Sequence, residues 1–483
     1  MIWTSTFLLI QAVILYFILA KRSRSSTDPP LDKGLIPWLG HALEFGRDAA
    51  KFLNRMKKKH GDIFTVRVAG RYVTVLLDPH SYDEVIKDPV SLDFSRYAQV
   101  LMERIFNLRL PGHNLNKAKG LMKKHFQGGN LALLNRTMCM QLSSLLKAEA
   151  AQNRMDWKVD GLFSFSYSLL FRAGYLTLFG GEQNNNGTDP AEVYREYQRF
   201  EALLTKMARG TLKPDEKRTT QAARQRLSEF LAPAGLGEAP GSGPWVQAYR
   251  RLLQAEGADG DMQRKALLMQ LWATQGNVGP AAFWLLGFLL TNSEALAAVR
   301  EEFTRVSQVE TSQESAVRTP VFDSALEEAL RLTAAPFMTR EVVKEKTLHM
   351  ADGREYLLRK GDRVCLFPFI SPQMDPEIHQ EPQAFKYDRF LNKDGSDKRD
   401  FYKGGKKLKY YTMPWGAGNN GCVGKQFAID TIRQFVYLVF SHYEMELCDP
   451  EAVMPESEAS SYGFGMLQPA GDLEVRYKLR ASL

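Results

Sequence analysis

The chain reads as a mainly α protein with small β-sheets. Three observations predict this class. First, several stretches carry helix-length apolar patterns. Residues 162–179 are mostly apolar and aromatic, residues 194–208 show an amphipathic helical period, and residues 262–290 form a long apolar run with no charge between Lys265 and Glu294. Second, strand-period alternation is confined to short pieces. Val66, Val68, Val73, Val75 and Leu77 alternate around a turn at Gly70-Arg71, and residues 342–366 read as short strands with turns at Asp352-Gly353 and Lys360-Gly361. Third, 483 residues without an internal repeat, 44% of them hydrophobic, are enough for a sizeable core.

Composition removes several function classes. The four cysteines, Cys139, Cys365, Cys422 and Cys448, form no CxxC pair. That argues against a disulfide scaffold or a zinc site and suits a reducing compartment. A net charge of +8 without a concentrated basic block gives no sign of nucleic-acid binding. It fits a body resting against an anionic membrane surface.

From the N-terminus, residues 1–20 read as a membrane anchor helix. They are mostly apolar, run longer than the core of a secretory signal, and show no clear small-residue cleavage site. Lys21, Arg22 and Arg24 follow, and basic flanks stay cytoplasmic. Residues 21–40 form a basic, proline-rich hinge, stiffened by Pro29, Pro30 and Pro37 and bent at Gly34 and Gly40. Residues 41–483 are expected to form a single catalytic domain. Within it, residues 97–110 look helical and break at Pro111-Gly112. Lys117, Lys119, Lys123, Lys124 and His125 then read mainly as a solvated helical face. Residues 184–189 read as a polar loop and residues 231–244 as a flexible connector.

The long apolar helix contains a local conflict. Ala273-Thr274-Gln275-Gly276-Asn277-Val278-Gly279-Pro280 places two glycines, an asparagine and a proline where a buried helix disfavours them. A simple kink accounts for them. A distortion that faces a ligand accounts for them better, because such conflicts gather at functional sites. Downstream, Glu328 and Arg331 share one helix face at i, i+3.

The stretch Pro414-Trp415-Gly416-Ala417-Gly418-Asn419-Asn420-Gly421-Cys422-Val423-Gly424 holds one cysteine in a glycine-rich loop, just before an apolar helical run from Phe427 to Phe440. The plain reading of Cys422 is a small buried hydrophobe. The chemical reading is a thiolate favoured by a helix N-terminus and suited to be the axial ligand of a haem iron.

This loop resembles the haem-binding loop of the cytochrome P450 superfamily. Trp415, Gly418, Cys422 and Gly424 fill the aromatic, glycine, cysteine and glycine places. Trp415 stands where the family usually has phenylalanine, and Asn420 where many members place an arginine on a haem propionate. Glu328-Ala329-Leu330-Arg331 and Tyr387-Asp388-Arg389-Phe390 resemble the family's buried Glu-Arg-Arg arrangement, and the motifs occur in family order. The resemblance implies the cytochrome P450 fold, with haem b between the long central helix and the cysteine-loop helix. It implies Cys422 as iron ligand, Trp415, Gly416, Asn420 and Gly424 around the cofactor, and Glu328, Arg331 and Arg389 as a structural brace. It also implies a propionate partner near residues 117–125, without choosing which lysine.

Monooxygenating members carry an acid-threonine pair in the central helix. Here Val278 and Gly279 stand in those places, and neither relays a proton. A substrate that brings its own O–O bond needs no such relay. Leu271-Trp272-Ala273-Thr274-Gln275-Gly276-Asn277, Gly279-Pro280-Ala281-Ala282-Phe283-Trp284, Leu332-Thr333-Ala334-Ala335-Pro336-Phe337 and Tyr462-Gly463-Phe464-Gly465 resemble the endoperoxide-isomerising branch of the superfamily. That resemblance implies isomerisation of prostaglandin H2 to prostacyclin, without dioxygen or an external reductase. Cys422 and Asn277 would be catalytic, and Asn277, Trp272, Ala335 and Phe464 would contact substrate. It further implies a monomer in the endoplasmic reticulum membrane, single-pass and in contact with membrane lipid, with its catalytic domain cytoplasmic. Two rival readings stay open: a reductase-dependent sterol monooxygenase, and a membrane haem protein without catalysis.

Overall fold

Residues 162–179 supply fourteen buried residues to one helix, Leu162–Phe179, with no charged residue except Arg172. Apolar on nearly every side, it has to lie inside the protein. It packs against the central helix and against Gly128–Ala151. Its N-terminus is capped from far away: Asp472 accepts from the Phe163 and Ser164 amides, at 2.6 and 3.2 Å. These contacts come from a computed structural model that describes residues 6–7, 11, 25–110, 115–151, 156–180, 188–232, 244–309 and 318–480.

The central helix is two segments, Gly260–Gln275 and Val278–Leu290, broken at Gly276-Asn277. The break lies inside the stretch whose composition disfavours a straight helix. Phe283, Trp284, Leu285 and Leu286 are buried just beyond it. Each such side chain contributes about 1.5–3 kcal/mol by leaving water. The helices Pro320–Thr333 and Lys425–His442 pack on this second segment and complete the core that carries the site.

The strands are short, as expected. A six-stranded mixed sheet runs in the order Leu31–Asp32, Ile63–Val68, Arg71–Leu76, Arg363–Leu366, Met338–Val342, Leu92–Asp93. The turn in its first hairpin falls at Ala69-Gly70, one residue earlier than expected, because both residues take positive φ. Lys346–His349 and Glu355–Leu358 form the expected hairpin around Asp352-Gly353. Residues 194–208 are not one helix. Pro190–Glu201 ends and Leu204–Arg209 begins after a two-residue turn. Phe94–Phe106 stops at Asn107, which caps it in the left-handed conformation, φ 52°.

Among the described residues no single helix is long and apolar enough to cross a membrane. The expected anchor lies outside them apart from Thr6, Phe7 and Gln11, as do Lys21, Arg22, Arg24, the Pro111-Gly112 break and most of the expected 184–189 and 231–244 segments.

Candidate active site

Cys422 sits on a loop that closes on itself. Its amide donates to the Trp415 carbonyl at 2.8 Å, the Gly421 amide to Gly418 at 3.1 Å, and the Gly416 amide to Met413 at 3.2 Å. Gly418 takes φ +60°, and a Cβ there would lie 2.6 Å from the Ile86 side chain, so only glycine fits. Lys425–His442 starts three residues after the cysteine, with Gly424 at its cap. The expected electrostatic help is present, since the Gly424 amide, Lys425 and Lys119 all favour the thiolate. It does not prevail in the free thiol. Surrounding protein desolvates the sulfur and raises its pKa above the ordinary cysteine value, although the residue still presents exposed surface. A metal ion would reverse this balance, because a coordinating thiol is deprotonated outright.

The expected Glu328, Arg331 and Arg389 cluster forms. Both Glu328 oxygens accept from Arg331, at 2.7 and 2.8 Å, and from Arg389 Nε, at 2.9 Å. The remaining guanidinium donors go to the carbonyls of Gln373, Pro382, Gln380 and Ala384. All three residues are buried. Gln373 extends the brace. Its amide nitrogen donates to the Arg331 and Ala334 carbonyls, and its oxygen accepts from the Met413 amide beside the cysteine loop. The sequence reading missed Gln373, which belongs to no local motif.

The donor set fits haem. Among the described residues no cluster of three or more histidine, cysteine or acidic side chains is poised for a metal, so a lone thiolate is the ligand on offer. Gly424 adds no side chain beside it, and a Cβ there would meet nothing within 4 Å. Two cations stand ready for propionates. Lys119 lies within electrostatic range of Cys422 and Arg340, and burial, with Lys123 and Arg340 nearby, lowers its pKa. Arg340 is only 4% exposed, yet its guanidinium donates to the Thr339 carbonyl alone, at 2.9 Å, and stacks on Phe94 at 5.1 Å. Asp93 acts on it only electrostatically, with no hydrogen bond, and a buried guanidinium with donors left over suits an anionic ligand. The sequence reading did not find Arg340; an arginine in a strand facing the core was the available signal. Asn420, by contrast, is exposed on the Gly418–Asn420 turn. Trp415 is half-buried against the core.

Three of the expected substrate residues come together at the helix break. The Asn277 side-chain oxygen, Oδ1, accepts from the Met466 amide at 2.9 Å. Ala335 donates to Gly465 and accepts from Gly463, both at 2.8 Å, which docks the Tyr462–Gly465 turn. Ala335 itself is fully buried, and its backbone makes these contacts to the turn. Phe464 packs under Arg209, 5.7 Å from the ring centroid. Trp272, half-buried on the central helix, packs against Phe106, ring centroids 5.8 Å apart. Ala273 is exposed in an otherwise largely buried helix and shares the Asn277 face at i, i+4.

Behind the break lies an unexpected carboxyl. Glu201 accepts from the Tyr167 hydroxyl at 2.7 Å and the Tyr197 hydroxyl at 3.0 Å. Burial lifts its pKa to about 7, against the opposing hydrogen bonds. These tyrosines also explain the glycines. A Cβ on Gly279 would lie 2.1 Å from the Tyr167 ring, and one on Gly276 would lie 2.8 Å from the Tyr197 hydroxyl.

A family model described as Cytochrome P450 matches residues 29–232 and 250–475. The chain belongs to the cytochrome P450 family. Haem with an axial cysteine thiolate is therefore its cofactor, and the fold described above is the P450 fold. The chain is 50% identical over 476 residues to the prostacyclin synthases of Rattus norvegicus and Homo sapiens, covering 95% of each chain. It is 40% identical to the 7-alpha-hydroxycholest-4-en-3-one 12-alpha-hydroxylase of Homo sapiens over 472 residues, 95% of this chain and 94% of that one.

Proposed function

We propose that this P450 isomerises prostaglandin H2 to prostacyclin and draws on neither dioxygen nor a reductase. The observation that carries the reading is the central-helix break. Val278 cannot titrate, and Tyr167 occupies the space that a threonine side chain at 279 would need. A break whose 278 and 279 positions carry neither an acid nor an alcohol suits a substrate whose own endoperoxide supplies the O–O bond. Similarity to two prostacyclin synthases at 50% identity supports the same reading.

Haem bound through Cys422 supplies an electron-rich iron that favours O–O cleavage. The protein orients the substrate. The oxygen of the Asn277 amide is committed to Met466, so its nitrogen is the donor left for an endoperoxide oxygen. Phe464 and Trp272 bound the space on either side. The Tyr462–Gly465 turn, tied to Ala335, keeps water from the reacting atoms. Lys119 and Arg340 hold the propionates. Glu328, Arg331 and Arg389 keep the cysteine loop in register. The chain works as a monomer on the endoplasmic reticulum membrane, tethered by residues 1–20, with the catalytic domain cytoplasmic and in contact with lipid. Leu35, Ile36, Trp38 and Leu43, all exposed just after the tether, support a membrane-facing surface.

The test mixes purified ferric protein with prostaglandin H2 under nitrogen, without reductase or NADPH. Prostacyclin, identified by mass spectrometry as its hydrolysis product, is expected. No product there, together with oxygen uptake on a sterol once reductase and NADPH are added, would replace this reading with a hydroxylase like the 12-alpha-hydroxylase relative.

A further inference from the structure

A cavity of about 460 Å³ opens between the C-terminal end of Phe94–Phe106, the helix Pro214–Phe230 and the first turns of the central helix. Its lining separates into an apolar part, Phe106 and Leu268, and a charged rim. On the rim, Lys265 pairs with Asp261 at 2.6 Å, and Arg264 lies 3.6 Å from the same carboxylate. Glu229 is engaged by Arg226 at 3.2 Å and by Gln225 at 3.3 Å. Arg224 differs. Among the described residues it pairs with no carboxylate, its Nε is buried without a hydrogen-bond partner, and its one polar contact is Nη2 donating to the Met207 sulfur at 3.3 Å.

An uncompensated guanidinium above an apolar floor selects an amphiphile with one anionic end. Arginine stays protonated through any working pH and binds carboxylates in a planar, forked geometry. Burial disfavours its charge, so an incoming anion also relieves a cost that the protein carries alone. The floor adjoins the central helix. Phe106, which lines the cavity, also contacts Trp272. Leu268 and Asn277 are nine residues apart on the central helix, about 13 Å at the helical rise, which a lipid arm and an arginine side chain together cover.

We infer that Arg224 is the receiving site for the carboxylate of the fatty-acid substrate, holding it while the apolar body passes over Phe106 and Leu268 toward the helix break. This rests on the prostaglandin H2 reading, so the test separates the two. Wild type, Arg224→Gln and Arg224→Lys, each checked for haem content, are titrated calorimetrically with a stable bridged analogue of prostaglandin H2, as free acid and as methyl ester. Turnover of prostaglandin H2 is measured in parallel. The inference expects the acid to bind wild type about tenfold more tightly than the ester, and Arg224→Gln to lose that preference. It also expects Arg224→Lys to keep most of the preference, and KM to rise in Arg224→Gln with kcat little changed. Equal loss for acid and ester, or an unchanged acid preference in Arg224→Gln, overturns it. Wild type that prefers the acid through Arg224 but forms no prostacyclin keeps the site and removes the activity.

Discussion

At the residue scale, Cys422, Asn277 and Glu201 each make a prediction. Cys422→Ala should abolish the thiolate-type spectrum and turnover together; turnover at the normal rate in that variant would remove the cysteine from the mechanism. Asn277→Ala should lower kcat about a hundredfold, the usual scale for losing one oriented donor, while haem stays bound. Unchanged kinetics would leave the amide as only a clamp for Met466. Glu201 makes a pH prediction. Its folded pKa of about 7 lies above that of an ordinary glutamic acid, because burial penalises the carboxylate and Tyr167, Tyr197 and the nearby Tyr194 bring no positive charge. Between the two pKa values the folded chain holds a proton that the unfolded chain has released. Stability contributed by this group is therefore present at lower pH and lost as pH rises toward 7, by about 2–3 kcal/mol. Thermal melts from pH 5 to 7.5 should show the decline, and Glu201→Gln should flatten it; equal slopes in both proteins would place the titration elsewhere.

At the element scale, the central helix and the Glu328 brace carry the argument. Gly279→Thr would restore the alcohol of a monooxygenase but must displace the Tyr167 ring. It should cost about 1–3 kcal/mol, as overpacking does, and gain no oxygen uptake; a threonine variant as stable as the parent would show that Tyr167 yields freely. Glu328→Ala should cost about 3–5 kcal/mol, because two buried guanidiniums lose their shared counter-charge. Haem retention measured alongside unfolding tells whether the brace reaches the cysteine loop through Gln373 and Met413. Much at this scale was legible. Residues 162–179 appear as one helix with the expected bounds, since an unbroken apolar run leaves little choice. The split between Pro190–Glu201 and Leu204–Arg209 was not legible, because residues 194–208 keep a helical period across the turn.

At the scale of the whole molecule, the proposed tether at residues 1–20 makes a prediction of its own. Removing residues 1–24 should leave prostaglandin H2 turnover close to normal and reduce sedimentation with membranes. The exposed Leu35, Ile36, Trp38 and Leu43 should preserve a weaker, detergent-sensitive attachment. A truncated chain that sediments as strongly as the full chain would move the membrane contact into the body.

The sequence by itself determined the kind of chemistry: one cysteine in a glycine-rich loop, a core helix with a local conflict over residues 273–280, and a glutamate and arginine at helical spacing awaiting Arg389. These signals are local, carried by residue type, periodicity and the few residues around each motif. Tertiary structure decided which half of the Asn277 amide is free, which cations stand near Cys422, why Gly279 must be glycine, and that Glu201 lies against the helix break. Each depends on a partner remote in the chain: Met466 for Asn277, Cys422 for Lys119, Tyr167 for Gly279 and Gly276 for Glu201. Hydrogen bonds and desolvation act over a few ångströms, so contacts between distant segments become defined only when packing has closed the chain around them.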